Sequence, residues 1–163
     1  MKNKVNIGLI GLAGSGKDTV ADMLKDIGYT KVSFAAVLKE MCMGLGWNGD
    51  KDVKGRKLLQ DVGMALRVYD DNTWVHATHK KLEHKYANVF SDVRFNNEAN
   101  YIKDELQGII VRIVRPSLEM TEAHNHVSEY GQKEIPVDYT IVNDKDLTNL
   151  KINILKIVSN YAG

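Results

Sequence analysis

Val5-Asn6-Ile7-Gly8-Leu9-Ile10-Gly11-Leu12-Ala13-Gly14-Ser15-Gly16-Lys17-Asp18-Thr19 begins as an apolar run and ends in spaced glycines, a lysine and the start of a helical repeat. Strand, glycine-rich turn and helix, in that order, form the setting of a phosphate-binding loop. Glycines at 11, 14 and 16 let the backbone turn tightly with its N–H groups facing inward. Lys17 adds a cation for outer phosphates, and the helix behind it adds a positive N-terminal end. The candidate triphosphate contacts are therefore Ala13, Gly14, Ser15, Gly16, Lys17, Asp18 and Thr19. The pattern G-x-x-x-x-G-K-S/T is complete except at its last place, which Asp18 occupies. A hydroxyl normally meets Mg²⁺ there, so either the Asp18 carboxylate replaces it or Thr19 supplies it one residue later.

The rest of the chain suits one α/β domain. Its 163 residues lie within the size of a single domain. Lys+Arg 22 against Asp+Glu 21 leaves a formal charge of +1, which argues against stable binding to a nucleic-acid backbone or an acidic membrane. The single cysteine, Cys42, permits no internal disulfide and falls on an apolar helical stripe. No apolar run approaches membrane-spanning length, and a cytoplasmic protein is expected.

Short β-rich runs alternate with amphipathic helices, the pattern of a parallel sheet with helices on both faces. Strands are predicted near Val5 to Ile10, Lys31 to Phe34, Asn88 to Asp92, Ile109 to Val114 and Tyr139 to Val142. Helical stripes run through Val20, Met23, Leu24 and Ile27, and through Leu38, Met41, Cys42 and Leu45. Further helices are predicted from Gly55 to Tyr69, from Asn72 to Tyr86 and from Asn97 to Leu106. A last one carries Leu147, Leu150, Ile154, Ile157, Val158 and Tyr161. The two prolines, Pro116 and Pro136, bracket a polar stretch with Glu119, Glu122, His124, His126, Ser128 and Glu129, which suits a small lid or binding loop. His124 and His126 have poor metal-ligand spacing and read as a solvated pair, not a zinc site.

Three constellations bear on the chemistry. Arg56, Gln60, Gly63 and Arg67 share one helix face, opposite Leu59, Val62 and Leu66. That face is either an ordinary solvated one or a basic, notched surface, where Gly63, costing about 1 kcal/mol relative to Ala, lets something approach the backbone. The second is Ser91-Asp92-Val93-Arg94-Phe95-Asn96-Asn97-Glu98 at the end of a strand, where parallel sheets present their ligand crevice. There Asp92 is a candidate for Mg²⁺ or its waters and Arg94 for a phosphate clamp. The third pairs Arg112 with Arg115. Arg115, just beyond its strand, is the better placed to cover charge on a transferring phosphoryl group. Trp74 and Tyr69 suit base stacking or core packing equally.

Taken together, several segments resemble the deoxynucleoside monophosphate kinases of tailed bacteriophages. These are the loop through Lys17-Asp18-Thr19, Ser33-Phe34-Ala35 with Leu38-Lys39, Gly55-Arg56-Lys57-Leu58-Leu59-Gln60, Trp74-Val75, and Asp92-Val93-Arg94-Phe95 with Glu98. Ile113-Val114-Arg115-Pro116, the segment from His124 to Glu129 and a final strand reaching Asn143 complete it, so the likeness covers most of the chain. The resemblance implies a P-loop NTPase of nucleoside monophosphate kinase type: a five-stranded parallel sheet, a helical acceptor-binding insertion from about 35 to 86 and a short lid from about 116 to 136. It implies ATP with Mg²⁺ as donor and a nucleoside monophosphate as acceptor. Lys17, Arg94, Arg115 and Asp92 are then the catalytic set, and Asp18, Thr19 and Asp92 the metal set. The expected acceptor contacts are Lys39, Arg56, Gln60, Arg67, Trp74, Arg94 and Glu98. A phage-encoded chain would work in the cytoplasm of its bacterial host. Alternatives are a dephospho-coenzyme A kinase and a regulatory nucleotide-binding module. Against a GTP-binding module, Asn143-Asp144-Lys145-Asp146 does not match Asn-Lys-x-Asp.

Overall fold

The computed structural model describes residues 4–118 and 131–161. Within them the chain forms two units, one of residues 1–32 with 83–163 and one of residues 33–82.

In the first unit five parallel strands, β1 (Ile7–Ile10), β2 (Thr30–Val32), β3 (Asn88–Phe90), β4 (Ile109–Val114) and β5 (Tyr139–Val142), lie in the order β2-β3-β1-β4-β5. The pairing sets Gly8 opposite Phe90 and Ile10 opposite Arg112, so the C-terminal ends of β3, β1 and β4 emerge side by side. Central β1 and β3 are buried along their whole length, which is why they read as continuous apolar runs, while edge strands β2 and β5 are only partly covered. Successive residues serve opposite faces. Ile7, Leu9, Val89, Val111 and Ile141 meet Val20 and Leu24 of α1 (Lys17–Asp26) and Leu150 and Ile154 of the C-terminal helix Leu147–Asn160. On the other face an added Cβ at Gly8 would come within 2.7 Å of Ile110 and 2.8 Å of Ile102, so a side chain there would displace the packing.

In the second unit α2 (Ala35–Gly44), α3 (Val53–Tyr69) and α4 (Thr73–His79) enclose a small core of Leu38, Cys42 and Trp74, with Leu59, Val62 and Leu66 against it. Asp52 caps α3 through its carboxylate, which accepts from Gly55 N at 2.7 Å. Gly55 is required by space: a Cβ would stand 1.9 Å from the Asp50 carbonyl oxygen.

Three expectations are corrected. The helix predicted from Asn72 to Tyr86 stops at His79, because the Lys80–Lys85 stretch offers almost no apolar face to bury. The helix predicted from Asn97 to Leu106 is α5 (Asn96–Asn100) followed by a π-helix, Tyr101–Glu105, in which adjacent Tyr101 and Ile102 are both buried. Leu147, expected on the core stripe of the last helix (α6, Leu147–Asn160), is 64% exposed at its first turn. Residues 119–130, and with them most of the expected lid, lie outside the described residues. No described helix is long and apolar enough to cross a membrane.

Gly55→Ala forces the 47–52 turn away from α3 and is expected to cost about 1 to 3 kcal/mol, measured as a lower denaturant midpoint. Tyr29, 4% exposed, buries a hydroxyl with no hydrogen-bond partner among the described residues, and burial pushes its pKa up to about 12. The fold thus prefers the neutral phenol. Its stabilising preference is complete below the ordinary tyrosine pKa of 10.0 and is lost as pH rises from there through about 12. Tyr29→Phe should be at least as stable as wild type at neutral pH and should lose less stability across that alkaline range, followed by chemical unfolding at each pH.

Candidate phosphate-binding site

Between β1 and α1 the chain turns through Gly11 to Gly16, and its shape excludes side chains at particular points. A Cβ on Gly11 would sit 2.4 Å from the Ile113 carbonyl oxygen and 2.6 Å from Ser15 Oγ. Gly16, at φ +109°, caps α1 without any side-chain hydrogen bond, and a Cβ there would meet Asn143 Nδ2 at 2.7 Å. The first-turn amides of α1 therefore face the loop with the positive end of the helix dipole.

The loop is held from several directions. Lys17 Nζ donates to the Gly11 carbonyl and, at 2.9 Å, to that of Leu12. Asn143 Nδ2, from just beyond β5, donates to the Ser15 carbonyl at 2.9 Å. Gly11 N donates to Gln132 Oε1 at 3.2 Å. Ser15 itself is 1% exposed, and its hydroxyl has no partner among the described residues. A cavity of about 310 Å³ opens beside the loop, lined by Leu12, Ser15, Arg112, Arg115, Gln132 and Lys133, among others.

The expected residues separate into groups. Asp92 lies two residues past the Gly8–Phe90 pairing, at the level where β1 gives way to the loop. Arg115 stands immediately after β4, exposed and on the cavity wall. Arg112 is spent on structure: its Nη2 donates to the carbonyls of Gln132 at 2.8 Å, Ile135 at 2.9 Å and Lys133 at 3.4 Å. Arg94 is half-buried, and its backbone N–H donates to Glu98 Oε2 at 2.8 Å, as does that of Phe95 at 3.2 Å. Glu98, expected to touch an acceptor, is 2% exposed and reaches back to the start of α5, where it fixes the backbone that carries Arg94.

Asp18 is directed outward. Its carboxylate, 82% exposed, pairs at 3.0 Å with Lys31 Nζ on β2, which also meets Asp22 at 2.9 Å. Partial burial works against the Lys31 charge, but the hydrogen bonds to Asp22 and Asp18 outweigh it and hold the ammonium above its ordinary pKa. Among the described residues no three His, Cys, Asp or Glu side chains cluster as a metal site. Mg²⁺ takes one or two protein oxygens and otherwise phosphate and water. Thr19, in the first turn of α1, and Asp92 have the oxygen chemistry to supply them.

In the helical unit, taken by itself, Arg56 and Gln60 lie exposed one turn apart on α3, and Arg56 Nε donates to the Lys51 carbonyl at 2.8 Å. Arg67 and Lys39 are half-buried. The notch at Gly63 is filled from within: an added Cβ would stand 3.3 Å from Leu38 Cδ2, and the Gly63 carbonyl accepts from Trp74 Nε1 at 3.1 Å. Trp74, 3% exposed, is thereby a core residue and not a stacking platform. Gln132 and Asn143 carry no motif in the sequence, and only the crossing of distant segments shows what they hold.

Sheet order, loop and helix together define a phosphate-loop kinase fold. Shikimate kinase from Aquifex aeolicus vf5 superposes with a TM-score of 0.52 at 16% identity, over 96% of this chain and 98% of that one. The protein TT1252 from Thermus thermophilus gives 0.54 at 19%, over 99% and 100%. A family model described as deoxynucleotide monophosphate kinase matches residues 45–154, a segment that leaves out the phosphate loop and so supports the reading independently of it. A putative deoxynucleotide monophosphate kinase of Acanthamoeba polyphaga mimivirus is 34% identical over 193 residues, covering 97% of this chain and 98% of that protein. The chain belongs to the deoxynucleotide monophosphate kinase family and is a phosphotransferase, a nucleotide monophosphate kinase.

Glu98→Ala leaves two part-buried amides without this acceptor and is expected to cost about 1 to 3 kcal/mol of stability. Because Arg94 rides on that backbone, turnover should fall even at temperatures where the variant is fully folded, measured by initial rates alongside a melting curve.

Proposed function

We propose that the protein transfers the γ-phosphoryl group of ATP to a deoxynucleoside 5′-monophosphate to give the diphosphate. The observation that carries the reading is the Lys17 ammonium, held over a glycine cradle by the carbonyls of Gly11 and Leu12. Those contacts are of the kind that an incoming phosphate oxygen replaces, turning a carbonyl-bound cation into one that bridges the donor's outer phosphates. Ala13 to Gly16 and the α1 amides supply neutral donors around it. Mg²⁺, bound through Thr19, Asp92 and the nucleotide, would neutralise charge on the outer phosphates. Asp18, paired with Lys31 on the outside of the loop, is left out of the proposed set.

The attacking group needs no general base. A phosphate monoester carries about −1.5 to −2 charge near neutrality, so its oxygen is already a nucleophile. The protein's work is to align two anions and offset their repulsion. Arg115 is proposed to cover the transferring group and Arg94 to grip the acceptor phosphate as a bidentate fork. On the helical unit, Arg56 and Gln60, with Lys39 or Arg67, are proposed acceptor contacts. Glu98 acts through Arg94 and Trp74 through packing. A cytoplasmic location, in the bacterial host if the chain is phage-encoded, and independence from nucleic acid belong to the same proposal.

A coupled ADP-release assay with ATP and a panel of ribo- and deoxyribonucleoside monophosphates, plus dephospho-coenzyme A, tests it. Turnover is expected with at least one deoxynucleotide and not with dephospho-coenzyme A. Lys17→Ala should lower the rate by at least about a hundredfold. Arg94→Ala should weaken acceptor binding by about 2 to 5 kcal/mol and spare ATP. Preferred turnover of dephospho-coenzyme A, or undiminished activity of Lys17→Ala, would refute the reading.

A further inference from the structure

The first amide of the phosphate loop is held by a side chain 121 residues away in sequence. Gly11 N donates to Gln132 Oε1 at 3.2 Å in a buried setting, and Gln132 is 4% exposed. Gln132 lies in a single 3₁₀ turn, Gly131–Glu134, a weak element on its own. What fixes that turn is Arg112 of β4. Its Nη2 spans the carbonyls of Gln132, Lys133 and Ile135, and the Gln132 carbonyl also accepts from Ile135 N at 3.4 Å. Arg112 pairs directly with Ile10, the last residue of β1 before the loop. The contacts thus form a closed circuit: β1 into Gly11, Gly11 to Gln132, Gln132 to Arg112, and Arg112 back to β1 through the sheet.

We infer that Gln132 is a positioning residue for the phosphate loop and that Arg112 is the brace that holds it in place. The inference rests on the donor-site reading given above. The physical argument is that Gly11 has no room to move: Ile113 O and Ser15 Oγ stand where its Cβ would be. Its amide must therefore find an acceptor where it is, and Gln132 supplies a neutral one that adds no negative charge beside the triphosphate. With the first residue of the loop fixed, the carbonyls of Gly11 and Leu12 that hold Lys17 keep their directions. Removing the acceptor leaves Gly11 N buried and unsatisfied, and with Gly11 itself hemmed in the adjustment falls on the loop residues beyond it, which misdirects Lys17 and the amides behind it. The penalty falls on the donor and on transfer, and the acceptor is spared.

Gln132→Met keeps the volume and apolar stem but removes the acceptor. Arg112→Lys keeps a charge on a shorter side chain, whose ammonium ends one bond short of the position from which Nη2 meets the three carbonyls. Each is assayed for kcat, for KM of ATP and of the best deoxynucleotide from the panel, for calorimetric ATP affinity and for unfolding midpoint. Gln132→Met is expected to raise the ATP KM and dissociation constant about five- to thirtyfold and to lower kcat. The acceptor KM should stay close to wild type, while the unfolding midpoint falls modestly because a buried donor loses its acceptor. Arg112→Lys should shift the same constants in the same direction. The double variant should be no worse than the more severe single one, because both act through one contact. Wild-type ATP affinity in Gln132→Met, an equal rise in both KM values, or additive single effects would overturn the inference. If Gln132→Met does not fold, Arg112→Lys decides: a selective rise in the ATP KM supports it, and an unchanged one refutes it. Lys17→Ala in parallel separates the two layers. ATP affinity lost in Lys17→Ala but kept in Gln132→Met rejects the role of Gln132 alone, and normal ATP affinity in Lys17→Ala rejects the donor site itself.

Discussion

The close approach of Gly11 to β4 is the constraint on which the site depends. With the Ile113 carbonyl oxygen 2.4 Å from where a Cβ would stand, the backbone leaving β1 is forced to turn at once, and it can do so only as glycine. That early turn brings α1 back over the sheet, where Val20 and Leu24 are fully buried against Leu9 and Val111. Loop geometry and core packing are therefore one arrangement seen from two sides. The register of β1 with β3 and β4 then brings Asp92 and Arg115 to the same edge as the loop. Those residues meet at one edge because the sheet is parallel, so that every strand delivers its C-terminal residues there.

Around this turn several contacts among the described residues are made by neutral amides and backbone carbonyls. Gln132, Asn143 and the Leu12 carbonyl hold the loop or its lysine through neutral groups. A site that must bring two phosphate groups together benefits from that choice, because a carboxylate lodged in the loop would add to the repulsion. The one carboxylate inside the motif, Asp18, is turned away and balanced by Lys31. The helical unit follows a different plan. Its small core of Leu38, Cys42 and Trp74 is closed by the contact of the indole with Gly63, and Lys54, Arg56, Lys57 and Asp61 of α3 stay exposed.

Much of this was written locally in the chain. The runs Ile109–Val114 and Tyr139–Val142 were legible as strands to the residue, because apolar β-branched stretches flanked by polar turns leave few other options. The glycine–lysine loop announced its chemistry, since spacing alone determines where the amides and the ammonium can go. The resemblance of scattered motifs to phage deoxynucleoside monophosphate kinases pointed to the family that the comparisons show. What depended on contact partners was not legible. Gly63 on a basic helix face reads as a notch for a ligand until Leu38 and Trp74 are seen filling it. Asp18 in the hydroxyl position reads as a metal ligand or as a stand-in beside Thr19, and only the fold shows Lys31 of β2 paired with it. Glu98 reads as an acceptor contact, while in the fold it is buried and accepts from the Arg94 and Phe95 amides.

The sequence by itself determined the strands, the phosphate loop and the helical stripes, because each arises from interactions between residues a few positions apart, whose geometry is set by backbone periodicity. Tertiary structure alone decided how that loop is held. Gln132 and Asn143 lie 121 and 128 residues from the backbone groups they bind. Nothing in a lone glutamine or asparagine records such a partner. A hydrogen bond across that separation exists only once β1, β4 and β5 have paired in register, and the pairing of strands is a property of the folded sheet.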